Sequence, residues 1–209
     1  MIDLKQQSDM AKLNDRMRNC RLCYISCLSA YPVCGYGRLQ SKIVLVGEAP
    51  GRVEVLQRRP FVNDAGMFLD IVLESFKIDK NKLYITNAVK HRPVEGEFNR
   101  PPIREETDNC SSFLFDELKI IEPKVIIALG KIATEVLFAG KDKIDVNVKR
   151  GKIYRFKDLG IISTYHPSHC QRRGGVGNIE LFYEVLEHFT TAINYAADCG
   201  INLDEYRKD

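Results

Sequence analysis

Ile43 to Val46 forms an unbroken apolar run without polar alternation, the pattern of a strand buried on both faces, as in the parallel sheet of an α/β protein. Two more strands are read later, a buried one in LYITNAV at 83–89 and a third in KVIIALG at 124–130. Residues 152–156 and 161–165 give a fourth and a fifth strand around a turn at Asp158-Leu159-Gly160. Between the runs the spacing becomes helical. Residues 5–19 read as a short polar helix, and Phe68, Leu69, Val72, Leu73 and Phe76 share one face of a helix capped by Asn63 or Asp64. A helix over about 103–121 carries Cys110, another comes after residue 130, and Ile179, Phe182, Val185, Leu186, Phe189 and Ile193 form one face of a last helix over 178–196. The stretch up to about residue 102, rich in Pro, Gly and Arg, reads as a loop, and so does HPSHCQRRGG at 166–175. Strands alternating with helices predict one α/β domain over 1–209, with residues 1–40 as an N-terminal helix and a cysteine-bearing segment.

Open α/β sheets bind ligands outside the carboxyl ends of their strands, so the residues at the end of each run are the candidate ligand contacts. After the first run comes Gly47-Glu48-Ala49-Pro50-Gly51, where two glycines permit close approach of a ligand to the backbone. The second ends in Asn87 and the fifth leads to His166. A lone Asn at a strand end is ordinarily a cap, and a lone His before Pro is ordinarily a loop residue. Together with Glu48 they describe a pocket able to read a flat polar ring, because an Asn amide offers an adjacent donor and acceptor to one edge of a nucleobase.

Composition narrows the setting. With 44% hydrophobic residues, a chain of 209 can bury one full core. Its apolar runs are strand-sized and its N-terminus lacks the order of a signal peptide, so a soluble, intracellular (cytoplasmic, nucleoid-associated) monomer with no membrane partner is expected. Seven cysteines in a reducing compartment argue for metal or cluster ligands and buried thiols over disulfides. Cys20, Cys23, Cys27 and Cys34 fall within fifteen residues, and Cys20-x-x-Cys23 has chelating spacing. The net charge of +3 is small, but Arg58-Arg59, Lys90-His91-Arg92, Lys149-Arg150 and Arg172-Arg173 all lie in candidate loops where they can meet phosphates.

The segments GEAPG (47–51), RPFVNDAG (59–66), YITNAVKHRP (84–93), CSSFL with EPKVIIALGKIA (110–133) and YHPSHCQRR (165–173) resemble, in order and spacing, the family 4 uracil-DNA glycosylases of bacteria and archaea. The resemblance covers nearly all of residues 20–173. It implies a three-layer α/β/α sandwich around a central, mainly parallel, four-stranded sheet. It also implies a monofunctional glycosylase that hydrolyses the N-glycosidic bond of uracil in single- or double-stranded DNA, starting base-excision repair. By the same resemblance Phe61 stacks on the flipped base, Asn87 pairs with uracil N3–H and O4, and His166 donates to O2. Glu48 orients water or stabilises the cationic sugar, with Gly47 and Ala49 completing the substrate-binding turn. Ser168, His169, Gln171, Arg172 and Arg173 face DNA, and a 4Fe–4S cluster is held by cysteines.

The chain departs from the family at two points, and at a third the family itself differs from other branches. Where relatives read K-C-R-P, it reads Lys90-His91-Arg92-Pro93, so the ligand set becomes Cys20, Cys23, Cys110 and His91. Cys27 or Cys34 as fourth ligand, and a local zinc site of Cys20, Cys23, Cys27 and Cys34, stay open. A branch that traps its product covalently also has His there, with a second, nucleophilic histidine downstream; residues 94–109 contain none. The leucine that relatives wedge into the stack near HPS is missing, and Ala49 stands where other branches carry Asp. Two other readings stay open: a glycosylase for another deaminated base such as hypoxanthine or xanthine, and a non-catalytic DNA-damage-binding protein. The sequence also leaves a sliding-clamp partner and a Schiff-base role for Lys82 or Lys90 open.

Overall fold

A computed structural model describes residues 3–28, 31–138 and 150–208. Lys149 of the expected basic pair lies outside them. The elements in chain order are α1 (Leu4–Arg18), α2 (Tyr24–Leu28), β1 (Tyr36–Gly37), β2 (Ile43–Gly47), α3 (Arg52–Gln57), α4 (Asp64–Ser75), β3 (Tyr84–Asn87), β4 (Val94–Glu95), β5 (Phe98–Asn99) and α5 (Arg104–Ile121). They continue with β6 (Val125–Leu129), α6 (Lys131–Leu137), β7 (Ile153–Phe156), β8 (Leu159–Thr164), α7 (Pro167–Arg172) and α8 (Ile179–Asp198).

The sheet runs β1-β3-β2-β6-β8-β7. Its four inner strands, β3, β2, β6 and β8, are mutually parallel, and β1 and β7 close the edges antiparallel. The expected four-stranded parallel centre is therefore present, with two edge strands added. β1 has only two residues, too short to leave a period in the sequence.

The alternation of strand side chains builds the three layers. Ile43 and Leu45 face one side, with Phe68, Leu69, Val72 and Leu73 of α4 and Val185 and Phe189 of α8. Val44 and Val46 face the other, with Met10, Leu13 and Met17 of α1 and Phe113, Leu114 and Ile121 of α5. Because both faces are covered, β2 and β6 read as continuous apolar runs, while β3 and β8 end in buried polar residues.

HPSHCQRRGG, expected as a loop, contains α7. Pro167 at the first helical position supplies a preset φ where no N–H is needed, so His-Pro-Ser is a helix start. The loop before α5 holds a small hairpin, β4 with β5, turned through Gly96 at φ +59°. The turn at Asp158-Leu159-Gly160 is tighter than expected, since β8 already begins at Leu159.

Candidate active site

The chain passes from β2 to β3 on one side and later to β6 on the other, so the order reverses beside β2, and a ligand site is expected at its carboxyl end. Gly47 and Asn87, the last residues of β2 and β3, lie directly opposite each other. Above them opens a cavity of about 910 Å³, lined among others by Glu48, Phe61, Asn87, Gly130, His166 and Arg172.

Its floor depends on Gly47. A Cβ there would stand 2.2 Å from Asn87 Oδ1 and 2.6 Å from Phe61 Cζ, so only glycine lets the amide and the ring meet over the backbone. Asn87 is 2% exposed, and its Nδ2 finds no hydrogen-bond partner among the described residues. A buried unsatisfied donor costs about 1–3 kcal/mol, and this one borders an open cavity.

His166 is the N-cap of α7. The Ser168 N–H donates to its Nδ1 at 3.1 Å and the Ser168 hydroxyl lies 2.8 Å from the same nitrogen. The backbone donor assigns the proton of the neutral ring to Nε2. Burial, with Arg172 and His169 nearby, lowers the His166 pKa to about 4, so the imidazole is neutral at physiological pH. Gly130, at φ +95°, makes room for it: a Cβ there would fall 2.7 Å from the His166 Cβ. The Phe61 and His166 rings are neighbours, their centroids 6.0 Å apart.

Burial raises the pKa of half-buried Glu48, and the nearby Arg172 guanidinium opposes that rise. Ala49, Ser168 and His169 also line the cavity. Gln171 is tied to the body through Nε2 to the Asp64 carbonyl, 2.9 Å, and Arg173 is exposed outside the lining. Arg150 lines the cavity with its guanidinium 3.6 Å from the centroid of the Tyr165 ring, which in turn lies parallel to His169.

The other basic loops are employed differently. Arg58 and Arg59 lie over Tyr31 and Tyr36, and Arg92 is bonded within the hairpin to Asn99 and the Glu97 carbonyl. Lys90, expected among phosphate-meeting side chains, is fully buried. Its ammonium bonds at 2.7 Å to Glu117 Oε2, Thr86 Oγ1 and the Asn87 carbonyl. An ammonium sequestered in this way is available neither to DNA nor for a Schiff base. Lys82 also points elsewhere, donating to the Arg207 carbonyl at 2.6 Å.

Glu54 is a site residue that the sequence reading missed. It is 4% exposed, yet it receives the Gly51 N–H at 2.6 Å and the Phe61 N–H at 2.5 Å. Burial raises its pKa and those two hydrogen bonds counter the rise. The signal available was its position three residues after Gly51, the spacing of a capping box.

The cysteine segment packs against α5. Cys20 and Cys110 are buried, Cys23 is half-buried, and Cys27 is exposed. Cys110 Sγ accepts the Lys90 N–H at 3.2 Å, and its thiol is pushed up to about 11, chiefly by burial, with Cys20 and Cys23 near enough to contribute. His91 is buried, and its pKa falls to about 4 through desolvation and Arg21. Cys34 instead borders the Lys90–Glu117 pair; burial and Glu117 raise its pKa. Among the described residues no three His, Cys, Asp or Glu side chains converge tightly enough to hold a metal ion. The donor set of three thiols and a neutral imidazole nevertheless has the chemistry of an iron–sulfur site.

Phe61, the Asn87 amide and the neutral His166 imidazole thus border one cavity at the carboxyl ends of a parallel sheet, with the chemistry to receive a flat polar ring. The profile of the uracil DNA glycosylase superfamily matches residues 34–190, and the chain belongs to that superfamily. It is 37% identical over 168 residues to a type-4 uracil-DNA glycosylase of Archaeoglobus fulgidus, covering 76% of this chain and 83% of that protein. It is 37% identical over 163 residues to one of Thermotoga maritima, covering 78% and 83%. To one of Sulfurisphaera tokodaii it is 31% identical over 198 residues, covering 90% and 89%.

Proposed function

We propose that this chain is a uracil-DNA glycosylase that hydrolyses the bond between uracil N1 and the deoxyribose C1′, leaving an abasic site. The observation that carries this reading is the buried Asn87 amide, whose Nδ2 has no partner among the described residues while its Oδ1 lies beside Phe61 over Gly47. Uracil presents N3–H and O4 to that amide as donor and acceptor; cytosine presents the reverse. Sites whose buried polar groups are left unpaired by the wrong ligand discriminate by about 10⁴–10⁵.

The remaining groups serve the same chemistry. Phe61 stacks on the base. His166 donates from Nε2 to O2, where negative charge gathers as the C1′–N1 bond breaks with its electron pair on the ring; one such donor contributes about 10²–10³ in rate. Glu48, acting as the carboxylate, aligns the water whose oxygen bonds to C1′ and balances the cationic sugar. Arg172, Arg173 and Arg150 hold phosphates, and Ser168 and His169 meet the strand beside the vacated position. Extruding a nucleotide costs a few kcal/mol, which these contacts offset. Gln171 is less free for that task, since its amide is already bonded to Asp64.

The ligand set proposed for a 4Fe–4S cluster is Cys20, Cys23, Cys110 and His91, supported by the shared packing of the three cysteines with α1 and α5 and by the place of buried His91 next to Lys90, whose N–H Cys110 accepts. Such a cluster, when bound, ties the N-terminal segment to the arginine-bearing hairpin loop, and an imidazole ligand raises its potential relative to thiolate. Exposed Cys27, and Cys34 facing Glu117, are the weaker candidates for the fourth position. No helix among the described residues is long and apolar enough to cross a membrane.

Single-stranded and duplex oligonucleotides carrying uracil, hypoxanthine or xanthine, incubated with the protein and then treated with alkali, test the reading. Cleavage at uracil is expected. Cleavage only at hypoxanthine or xanthine would move the specificity to another deaminated base, and retention of all lesions with tight DNA binding would make the protein a non-catalytic damage binder.

A further inference from the structure

Phe61 adopts a backbone conformation that a bulky aromatic rarely takes. Its φ is +54°, in the left-handed region where a Cβ crowds the following carbonyl. Such geometry persists only when its surroundings over-determine it, and it concentrates at functional sites. The contacts that hold it here are specific. The N–H of Phe61 is taken by Glu54 Oε1 at 2.5 Å, and its carbonyl receives Lys80 Nζ at 2.6 Å. Gly66 lets that carbonyl pack against the start of α4, since a Cβ on Gly66 would meet the Phe61 oxygen at 2.1 Å.

Lys80 is the member of this set that the chemistry of base release does not use. It opens the single helical turn Lys80–Lys82 that leads into β3, the strand ending in Asn87. Asp70 on α4 orients the ammonium from the other side at 2.8 Å. One cation therefore ties the aromatic wall to the root of the strand that bears the amide, with Glu54 gripping the opposite end of the same residue.

We propose that Lys80 is a positioning residue of the pocket: with Glu54 it clamps Phe61 in the left-handed conformation that aims its ring over Gly47, next to Asn87. Released from the clamp, Phe61 relaxes to negative φ, the ring swings off the floor, and the base loses its stacking wall while Asn87 and His166 stay in place. The consequence for catalysis rests on the reading of Phe61 as that wall; the clamp itself does not.

The test therefore has two arms. In the first, amide hydrogen exchange at Phe61 is compared between the wild type and Lys80→Met, which keeps chain length and removes the donor. Exchange at least tenfold faster at Phe61, with Leu69 and Val72 unchanged, supports the clamp whether or not the protein excises uracil; unchanged exchange overturns it. In the second, single-turnover excision of uracil is measured for Lys80→Met, Lys80→Arg, Phe61→Ala and the double variant Lys80→Met/Phe61→Ala. Lys80→Met is expected to slow excision about tenfold, Lys80→Arg to restore it to within about threefold, and Lys80→Met to cost nothing further once Phe61 is alanine, because groups acting through one another are non-additive. Equal losses in both backgrounds would show that Lys80 acts elsewhere and overturn the proposal. A wild type without activity on uracil would refute the uracil reading alone, leaving the exchange experiment to decide the clamp.

Discussion

In the proposed function, Asn87 and His166 divide the recognition of a base between an amide and a neutral ring, and each makes its own prediction. Asn87→Asp replaces the donor by an acceptor, so O4 loses its partner and cytosine N4 gains one. The variant is expected to lose uracil excision by about tenfold or more and to narrow its preference over cytosine, read from single-turnover rates on both bases; unchanged uracil excision would remove Asn87 from base reading. The pH profile separates the two ionisable site residues. The pKa of Glu48 is raised, so its active carboxylate is lost as pH falls through a value above the ordinary ~4.3 for glutamate. His166 titrates only near 4, so it gives no limb near the ordinary histidine value of about 6.5. The expected profile has a single acid limb above ~4.3 that disappears in Glu48→Gln, while His166→Ala lowers the rate by about 10²-fold throughout. A limb that vanishes with His166→Ala instead would mean that this imidazole works as a titrating acid.

At the scale of elements, β3 is fastened to α5 by the buried Lys90–Glu117 pair, both side chains at most 1% exposed and 2.7 Å apart. Tyr84 and Thr86 of β3 also donate to Glu117, so the strand that delivers Asn87 is registered against α5 by polar contacts as well as apolar ones. Removing one member of a buried pair strands the other charge, at about 3–5 kcal/mol. Lys90→Met is accordingly expected to lower the melting temperature by roughly 2–4 °C per kcal/mol, and Lys90→Met with Glu117→Leu to recover most of the loss; a single variant that melts like the wild type would contradict the account. The junction of α1, α2 and α5 carries the cluster prediction. The purified protein is expected to be brown, with absorption near 400 nm and bound iron; His91→Ala should lose or weaken the colour, His91→Cys should keep it, and Cys27→Ser and Cys34→Ser should tolerate it. Colour that survives His91→Ala but vanishes with either serine variant would assign the fourth bond to that cysteine. The elements differ in how openly the sequence declared them. The inner strands did so because burial on both faces leaves little or no polar alternation in the run, and α4 and α8 because a one-sided core imposes a period. α7 and α3 are six residues each, too short for a period, and they announce themselves only through Pro167 at one helix start and Glu54 at the other.

For the whole molecule, the parallel order of the inner strands brings three side chains separated by 118 residues of sequence, from Glu48 to His166, to one cavity. That convergence was legible because Glu48, Asn87 and His166 each stand at the end of an apolar run, so the topology rule for open sheets located the site before any side-chain geometry was known. The outcome of pairwise packing was not legible: that Lys90 turns inward to Glu117 while Arg150 faces the cavity, and that Phe61 needs a left-handed backbone to reach Gly47. Charge in a loop says that a cation is near the surface, not which partner claims it. Hydrolysis, as opposed to covalent capture or strand cleavage, is likewise a property of the assembled site: residues 94–109 bring no histidine, Lys90 is sequestered and Lys82 points to Arg207. The most direct measurement is the intact mass of a single-uracil oligonucleotide after incubation with the wild-type protein and denaturation without alkali. The expected product is a full-length strand that has lost uracil and gained one water, with the protein mass unchanged. An unaltered strand, a strand cut at the lesion, or a protein carrying the DNA would contradict a hydrolytic uracil-DNA glycosylase.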